Sequence, residues 1–331
     1  MVGRSTLVAG VVLVATFTSP VTAARADTAG SDVVKVCGTK LCLGGISWRL
    51  HGGTVYGHSS ASDAVNRAKA LRLNTIRLTD WLDVDGSVQA APFDETRWRK
   101  VDADLTAAKG AGIRVILDLS TYRNLLVRHS INPYTYDWKP FLNFVVNRRN
   151  SVNGVRYGSD PTIALVSFAG EVEPINASDN RLGVTTQQVT DFFRIMFAFW
   201  ATNAPQQLKT TGGFLQLDWN SGIDWKAIMA LPGSNVCSIH VYSSGDQNIT
   251  LPAVADYCRS LGKPWITEEF GQPVSLNDST RAAWYQKVYD LQQQRGSAGA
   301  ALWNVGPQTV DSYDVNPQTP LTFATVQRNA P

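Results

Sequence analysis

The chain has 331 residues, of which 44% are hydrophobic and 17% charged, so it is neither disordered nor fibrous. Its length suits one large α/β domain with a sizeable core. The net charge of +3 is small and scattered along the chain, which argues against a nucleic-acid partner. Ten Trp and ten Tyr residues are more informative, because exposed rings at strand ends suit stacking on sugars.

Residues 1–26 have the features of a secretory signal peptide. Arg4 gives a positive start, residues 7–17 form an apolar run, and residues 24–26 read Ala-Arg-Ala, a small-x-small cleavage pattern. The run falls short of the roughly 20 residues that span a bilayer, so we predict export with cleavage rather than a membrane anchor. We therefore expect a secreted, extracellular domain over residues 27–331, without membrane contact.

Strand-like and helix-like segments alternate through the mature chain. The predicted strands cover residues 42–50, 74–81, 113–120, 162–171, 207–216, 236–243, 264–270 and 300–305. The predicted helices cover residues 61–71, 94–111, 138–150, 187–203, a short stretch near Trp225, 251–261, 279–295 and 320–327. Alternation with continuous apolar strands indicates a parallel sheet covered by helices.

Eight such units match the size of a single (β/α)8 TIM barrel, an α/β fold that commonly needs about 250 residues. The alternative is an open doubly wound sheet. Its nucleotide-binding version carries a glycine-rich phosphate fingerprint after the first strand, and we find none here. The barrel is therefore the predicted fold.

The mature chain has four cysteines, an even number that favours two disulfides in an exported protein. Cys37 and Cys42 bracket a short loop, while Cys237 starts a strand and Cys258 lies on the helix after it. We predict the pairs Cys37–Cys42 and Cys237–Cys258. The alternative, a metal site, is disfavoured because the spacings do not fit a zinc module and the chain has only four His. We expect no metal or organic cofactor.

Two glutamates end apolar strands in this scheme. Glu171 closes the fourth strand, and Glu269 closes the seventh. In a (β/α)8 barrel, residues at the C-terminal ends of strands line the active site. Two carboxylates brought together there are the minimal equipment for hydrolysing a glycosidic bond.

These strand ends resemble the glycoside hydrolases of clan A, and most closely family 5, which includes cellulases and β-mannanases. Residues 160–171, Asp-Pro-Thr-Ile-Ala-Leu-Val-Ser-Phe-Ala-Gly-Glu, resemble the family's fourth strand and its Asn-Glu-Pro motif. Residues 263–271, Lys-Pro-Trp-Ile-Thr-Glu-Glu-Phe-Gly, resemble its seventh strand. The resemblance implies a retaining glycosidase with Glu171 as acid/base and Glu269 as nucleophile.

Further strand ends agree with the same family. Arg77 resembles the second-strand Arg that steadies the nucleophile, and His240 with Tyr242 resembles the His-x-Tyr of the sixth strand. These three residues are expected to support the two carboxylates. Trp303 resembles the eighth-strand Trp that forms the floor of a sugar subsite.

Three other tryptophans, Trp48, Trp81 and Trp219, are candidates for outer sugar subsites, with ordinary core packing as the alternative. The sequence also departs from the family pattern, for example at the end of the third strand, where Asp118-Leu-Ser120 stands in place of the His of many members. Gly170 replaces the Asn that precedes the acid/base and normally binds the sugar 2-OH. Glu173 precedes a proline, so it is an alternative acid/base.

The expected chemistry sets requirements for the neighbouring charges. Burial and the nearby carboxylate should raise the pKa of Glu171, while Arg77 should favour the ionised form of Glu269. Strand alternation places Glu268 on the opposite face, where it would pair with a helix cation.

The sequence thus predicts a secreted, monomeric hydrolase of a β-linked polysaccharide or oligosaccharide, with β-mannan or β-glucan as first candidates. A non-catalytic carbohydrate-binding protein on the same barrel is the alternative, motivated by Gly170.

Overall fold

The computed structural model describes residues 32–56, 60–172, 175, 180–214 and 221–331, together with Met1 and Gly3. The predicted signal peptide lies outside the described residues except for these two positions. Glu173 and Trp219 also lie outside them.

A small antiparallel sheet precedes the barrel. Its strands are β1 (Val34–Cys37), β2 (Lys40–Leu43) and β3 (Ile46–Trp48). The prediction of one barrel strand over residues 42–50 was wrong, because Gly44 and Gly45 adopt positive φ values of 61° and 81° and turn the chain back on itself. The predicted disulfide Cys37–Cys42 is present and links β1 to β2.

Eight parallel strands form the barrel. They are β4 (Leu50–Tyr56), β5 (Thr75–Thr79), β6 (Arg114–Asp118), β7 (Ile163–Ser167), β8 (Leu208–Thr210), β9 (Cys237–Val241), β10 (Trp265–Phe270) and β11 (Gly299–Leu302). Their order in the sheet is β8-β7-β6-β5-β4-β11-β10-β9. The amide of Val236 donates to the carbonyl of Lys209 at 3.2 Å, which joins the two ends of the sheet. The predicted (β/α)8 TIM barrel is confirmed.

Helices follow the strands and cover the outside of the barrel. They are α1 (Ala61–Ala70), α2 (Glu95–Gly110), α3 (Ser120–Arg128), α4 (Lys139–Asn147), α5 (Thr186–Asn203), α6 (Trp225–Ala230), α7 (Leu251–Ser260), α8 (Asp278–Gln294) and α9 (Pro320–Arg328). Of these, α3 was not predicted. Among the described residues, no helix combines the length and apolarity needed to cross a membrane.

Two apolar clusters hold these layers together. The larger fills the space between helices and strands, and includes the rings of Trp98, Trp138 and Trp200. The smaller fills the barrel interior at the N-terminal ends of the strands. We call it the N-terminal interior cluster; it contains Val34, Leu41, Leu50, Ile116, Ala164, Leu165, Leu208, Val236, Ile266, Ala298 and Ala301. This packing fills the barrel interior at the N-terminal ends of the strands, so the interior opens toward their C-terminal ends.

The second predicted disulfide, Cys237–Cys258, is also present. It ties the start of β9 to α7, and both sulfur-bearing residues are fully buried. The barrel strand that carries His240 is therefore fixed covalently to its covering helix.

Helix α2 buries two aspartates in contrasting environments. Asp102 accepts hydrogen bonds from Arg148 and Tyr157 at 2.6 Å each. Burial favours a higher pKa for Asp102, but the bonds from Arg148 and Tyr157 outweigh it and lower the pKa. Burial without such partners raises the pKa of Asp104 to about 7. The charge of Asp104 therefore opposes folding wherever that residue is ionised.

We predict that Asp104→Asn stabilises the protein by roughly 1–3 kcal/mol at pH 8, and by less at pH 5. The folded-state pKa lies above the unfolded value of about 3.9, so folding takes up a proton and stability falls as pH rises from about 4 to 7. Urea unfolding at both pH values measures the difference. Asp102→Asn is the control and should destabilise at both pH values. An Asp104→Asn effect equal at pH 5 and pH 8 would contradict this account.

Candidate active site

The C-terminal ends of the barrel strands open into a cleft of about 490 Å³. Residues from six of the eight barrel strands or the segments that follow them line it. They are Arg77, Thr79, Asp80, Ser120, Arg123, Asn124, Gly170, Glu171, Tyr242, Ser243, Asp246, Glu269, Trp303 and Tyr313. The cleft therefore occupies the position at which (β/α)8 enzymes carry their active sites.

The structure brings Glu171 and Glu269 together in this cleft. Glu171 follows β7, and Glu269 lies within β10. One carboxylate oxygen of each residue and a ring nitrogen of His240 all lie within 4.8 Å of one another. The side chain of Glu171 is 36% exposed and that of Glu269 only 7%. One carboxylate thus faces the solvent side of the cleft, and the other lies deep in the barrel.

His240 bridges the two carboxylates from β9. Its Nδ1 lies 2.9 Å from Oε1 of Glu171 and 3.4 Å from Oε2 of Glu269, which places a proton on Nδ1. Burial favours a lower pKa for His240, but the charges of Glu269 and Glu171 raise it. Gly213 packs against the ring so closely that a Cβ there would lie 2.1 Å from Cδ2 of His240. A glycine at 213 is therefore required to seat the imidazole.

Arg77 on β5 pairs with three carboxylates in the barrel interior. Its fully buried guanidinium bonds Asp118 at 2.6 Å, lies 3.3 Å from Oε1 of Glu268, and donates to Oε1 of Glu269. Burial opposes the charge of Arg77, but Asp118, Glu269 and Glu268 together raise its pKa well above the usual value. Arg77 therefore remains a cation that fixes the nucleophile candidate in one orientation.

The expectation that Glu268 points away from the interior was wrong. The pairing of β10 with β9 shifts register between Thr267 and Glu269, so Glu268 is the extra residue of a β-bulge. Both consecutive glutamates therefore face the barrel interior. Glu268 accepts a 2.7 Å hydrogen bond from the hydroxyl of Ser238 and pairs with Arg77, not with a helix cation.

Aromatic residues complete the wall of the cleft near Glu269. The Tyr242 hydroxyl donates to Oε2 of Glu269 at 2.6 Å, and burial raises the pKa of Tyr242 so that it stays a donor. Trp303 follows β11 and is half-buried at the edge of the cleft. The ring of Tyr313 meets that of Tyr242 edge-on at 5.9 Å. Together these rings offer apolar surface beside the charged centre.

The pKa shifts of the two glutamates differ from the expectation. Burial favours a higher pKa for Glu171, but the hydrogen bond and charge of His240, helped by Arg123 and Arg77, lower it. Burial raises the pKa of Glu269, and Arg77 and His240 only partly oppose the rise. The reason is that His240 donates most directly to Glu171, an interaction that the sequence could not reveal.

Two of the predicted tryptophan subsites do not reach the cleft. Trp48 lies on β3 and packs against the N-terminal interior cluster, at the opposite end of the barrel. Trp81 is 2% exposed and packs against Trp98 with ring centroids 5.6 Å apart. Trp81 is therefore a core residue, and Trp48 is a partly buried residue that packs on the N-terminal interior cluster.

The first turn of α3 supplies cleft residues that the sequence reasoning missed. Ser120 donates through its amide and hydroxyl to Asp118 at 2.9 and 2.7 Å, and Arg123 donates to the carbonyl of Glu171. Asn124 lies beside Arg123. A signal was present, because the polar residues 120–124 directly follow the apolar third strand.

The packing of this first turn of α3 explains why residue 170 is a glycine. Its φ is +57°, and a Cβ at this position would lie 2.6 Å from Cβ of Ser120 and 2.8 Å from its hydroxyl oxygen. Asparagine tolerates the backbone conformation, but its side chain would collide with Ser120. The departure from the family pattern is therefore coupled to the packing of α3.

The comparisons with known proteins agree with this geometry. The mannan endo-1,4-beta-mannosidase 2 of Arabidopsis thaliana is 26% identical over 288 residues, covering 67% of this chain and 65% of the relative. The solved endo-1,4-beta-mannanase of Rhizomucor miehei superposes with a TM-score of 0.72 at 20% identity, covering 90% of this chain and 98% of that one. The glycoside hydrolase family 5 mannosidase of the same fungus gives 0.69 at 15% identity, covering 90% and 98%.

No protein-family model matches the chain. The chain spans about two thirds of the length of the Arabidopsis relative. These similarities agree with the predicted resemblance to family 5 glycoside hydrolases. The structural matches show that the chain shares the barrel fold of these enzymes.

We predict that Gly170→Asn, which restores the family's usual residue, lowers kcat/KM by roughly tenfold or more, as small displacements of reacting groups do. The collision with Ser120 would displace the segment that carries Glu171. Initial rates on a soluble β-glycan measure the effect. Gly262→Asn is the matched control, because Gly262 has φ +66° and open space around its Cβ position. Unchanged activity of the Gly170 variant would contradict the packing argument.

Proposed function

We propose that the protein is a secreted retaining β-glycoside hydrolase that cleaves a β-linked polysaccharide, with β-mannan as the first candidate and β-glucan as the second. The observation that carries the proposal is the closeness of Glu171 and Glu269, because one carboxylate oxygen of each lies within 4.8 Å of the other. Retaining enzymes hold their carboxyl groups about 5–5.5 Å apart, whereas inverting enzymes leave about 6.5–9.5 Å for a water molecule.

In the first step, an oxygen of Glu269 attacks the anomeric carbon and the glycosidic C–O bond breaks. Glu171 gives its proton to the departing oxygen, so the leaving group departs as a neutral alcohol. Arg77 and Tyr242 bond the two oxygens of Glu269 and fix its direction of attack. The product is a glycosyl ester on Glu269.

His240 offers a source for the proton on Glu171. A sugar that covers the exposed side of Glu171 removes water from its carboxylate, which raises its pKa. His240 in its imidazolium form can then pass the Nδ1 proton to Oε1 of Glu171 across 2.9 Å, which leaves a neutral imidazole and a neutral carboxylic acid. This transfer supports the acid role even though the bond from His240 outweighs burial and lowers the pKa of Glu171.

In the second step, Glu171 takes a proton from water while the water oxygen attacks the anomeric carbon. The ester bond to Glu269 breaks, and the sugar leaves with its original anomeric configuration. The proton that Glu171 took from water then returns to Nδ1 of His240, so that both carboxylates and the imidazolium are restored.

The substrate assignment rests on the cleft and on the relatives. Trp303 and Tyr313 present rings at its edge, and such surfaces suit the apolar faces of pyranose rings. The names of the compared proteins specify mannan, which ranks β-mannan ahead of β-glucan here.

Export to the extracellular space is part of the same proposal. Two disulfides suit an oxidising compartment, and the features of residues 1–26 support a cleaved signal peptide. We propose that the exported domain acts as a monomer.

Gly170 favours one alternative, a non-catalytic carbohydrate-binding protein on the same barrel. A reducing-sugar assay of the purified protein on β-mannan, β-glucan and xylan separates the two proposals. Release of reducing ends supports hydrolysis. A protein that binds one of these glycans and cleaves none of them would favour the alternative.

We predict that Glu269→Gln abolishes turnover while leaving glycan binding largely intact. Glutamine keeps the shape of the side chain but cannot form the glycosyl ester. The rate should fall by about four or more orders of magnitude, as in other losses of a covalent nucleophile. Steady-state rates and equilibrium binding on one oligosaccharide provide the two measurements. Near-normal turnover by this variant would overturn the mechanism.

We predict that Glu171→Gln stalls after the first step on a substrate with a good leaving group. An aryl glycoside such as a dinitrophenyl glycoside needs little protonation, so the glycosyl ester should form and accumulate. A stopped-flow burst followed by slow turnover measures this behaviour. Glu173→Gln is the matched control and decides between the two acid/base candidates, because a burst seen with that variant instead would reassign the role.

A further inference from the structure

Asp80 lines the catalytic cleft but has no part in the mechanism above. It directly follows β5, between two buried residues, Thr79 and Trp81. Its amide donates to the hydroxyl of Thr121 at 3.0 Å. The backbone of Asp80 is thus fixed by its two buried neighbours in the chain and by the hydrogen bond to α3.

The backbone of Asp80 lies in the left-handed region, with φ of 55°. Residues other than glycine rarely adopt this conformation, and aspartate is among the few that tolerate it. Such strain persists only where the surroundings impose it, and it is frequent at ligand-binding positions. Here the hydrogen bond to Thr121 and the burial of Trp81 hold the backbone of Asp80 in this conformation.

The carboxylate of Asp80 lacks the partners that the other cleft carboxylates have. Within the part of the chain that the structure describes, no hydrogen bond reaches its side chain. By contrast, Glu171 and Glu269 accept bonds from His240 and Tyr242. Burial raises the pKa of Asp80 to about 6, reinforced by the charges of Asp118 and Glu269 and opposed by Arg77 and Arg123. Among the described residues, no donor occupies this carboxylate, so it is available to a ligand in the cleft.

The same turn of α3 connects Asp80 with Gly170. Ser120 occupies the space where a side chain at 170 would lie, and the next residue, Thr121, bonds Asp80. The sugar-binding side chain that family 5 enzymes carry at the position of Gly170 is missing here. Across this turn from Gly170 lies the carboxylate-bearing residue Asp80, which also lines the cleft.

We propose that Asp80 is a substrate-binding residue that sets specificity, its carboxylate accepting hydrogen bonds from two vicinal hydroxyl groups of a sugar unit bound beside the first turn of α3. The two oxygens of a carboxylate match a vicinal diol, and charge-assisted bonds of this kind are about twice as strong as neutral ones. This inference rests on the proposed hydrolase function. It assigns to Asp80 the hydroxyl recognition that Gly170 cannot provide.

The test measures binding in the inactive Glu269→Gln protein, so that the sugar is not consumed. Isothermal titration with mannopentaose and with cellopentaose gives Kd for this parent and for versions that also carry Asp80→Asn or Asp80→Ala. Bonds to a charged group contribute about 1.5–3 kcal/mol each, so Asp80→Ala should weaken binding at least about tenfold. Asp80→Asn keeps one acceptor and should show a smaller loss.

A purely structural role predicts a different pattern. Asp80→Asn removes a half-buried charge that has no donor among the described residues, and it retains a side chain that tolerates left-handed backbone. Its Tm at pH 8 should therefore be unchanged or higher. A structural residue would instead lower Tm together with affinity. Asp311→Asn is the matched control, because Asp311 also has a positive φ, of 50°, but is exposed outside the cleft lining.

Three outcomes decide the inference. Weaker binding with Tm retained in the Asp80 variants, and no change in the Asp311 control, supports it. Equal affinities of parent and Asp80 variants would overturn it while leaving the hydrolase proposal intact. A parent protein that binds neither oligosaccharide would overturn the proposed function, and the role of Asp80 with it.

Discussion

The organisation of this site depends on one buried cation. The guanidinium of Arg77 lies at the centre of the barrel and pairs with carboxylates from β6 and β10, namely those of Asp118, Glu268 and Glu269. Removing one partner from a buried ion pair typically costs about 3–5 kcal/mol, because the remaining charge is left without compensation. The guanidinium of Arg77 therefore has two effects. It fixes the position of Glu269, and it compensates the buried negative charges of all three carboxylates.

The buried carboxylate of Glu269 and the more exposed carboxylate of Glu171 are hydrogen-bonded by different residues. Glu269 is bonded by Arg77 and Tyr242 and is nearly inaccessible, which suits a group that must attack from one direction. Glu171 is more exposed and bonded through His240, which suits a group that exchanges protons with the leaving group and with water. A single imidazole touches both, so the protonation states of the two glutamates are linked.

Local sequence patterns predicted much of the fold, but not the features that depend on tertiary contacts. Alternating apolar strands and helices predicted the barrel, and strand ends predicted the convergence of Glu171 and Glu269. The first barrel strand was misplaced because a hairpin before it has the same apolar character. Period-two alternation failed at Glu268 because a β-bulge changes the direction of a side chain without leaving a residue signature. Trp81 could not be separated from a sugar-stacking residue, because burial against Trp98 joins distant segments.

The stereochemical course of hydrolysis tests the central claim most directly. Proton NMR of the anomeric region during the first minutes of cleavage of a β-linked oligosaccharide distinguishes the new reducing end as β or α before it mutarotates. One oxygen of Glu171 lies within 4.8 Å of one oxygen of Glu269, which matches the close carboxyl spacing of retaining enzymes and predicts the β anomer first. Appearance of the α anomer first would mean inversion and would contradict the double-displacement account.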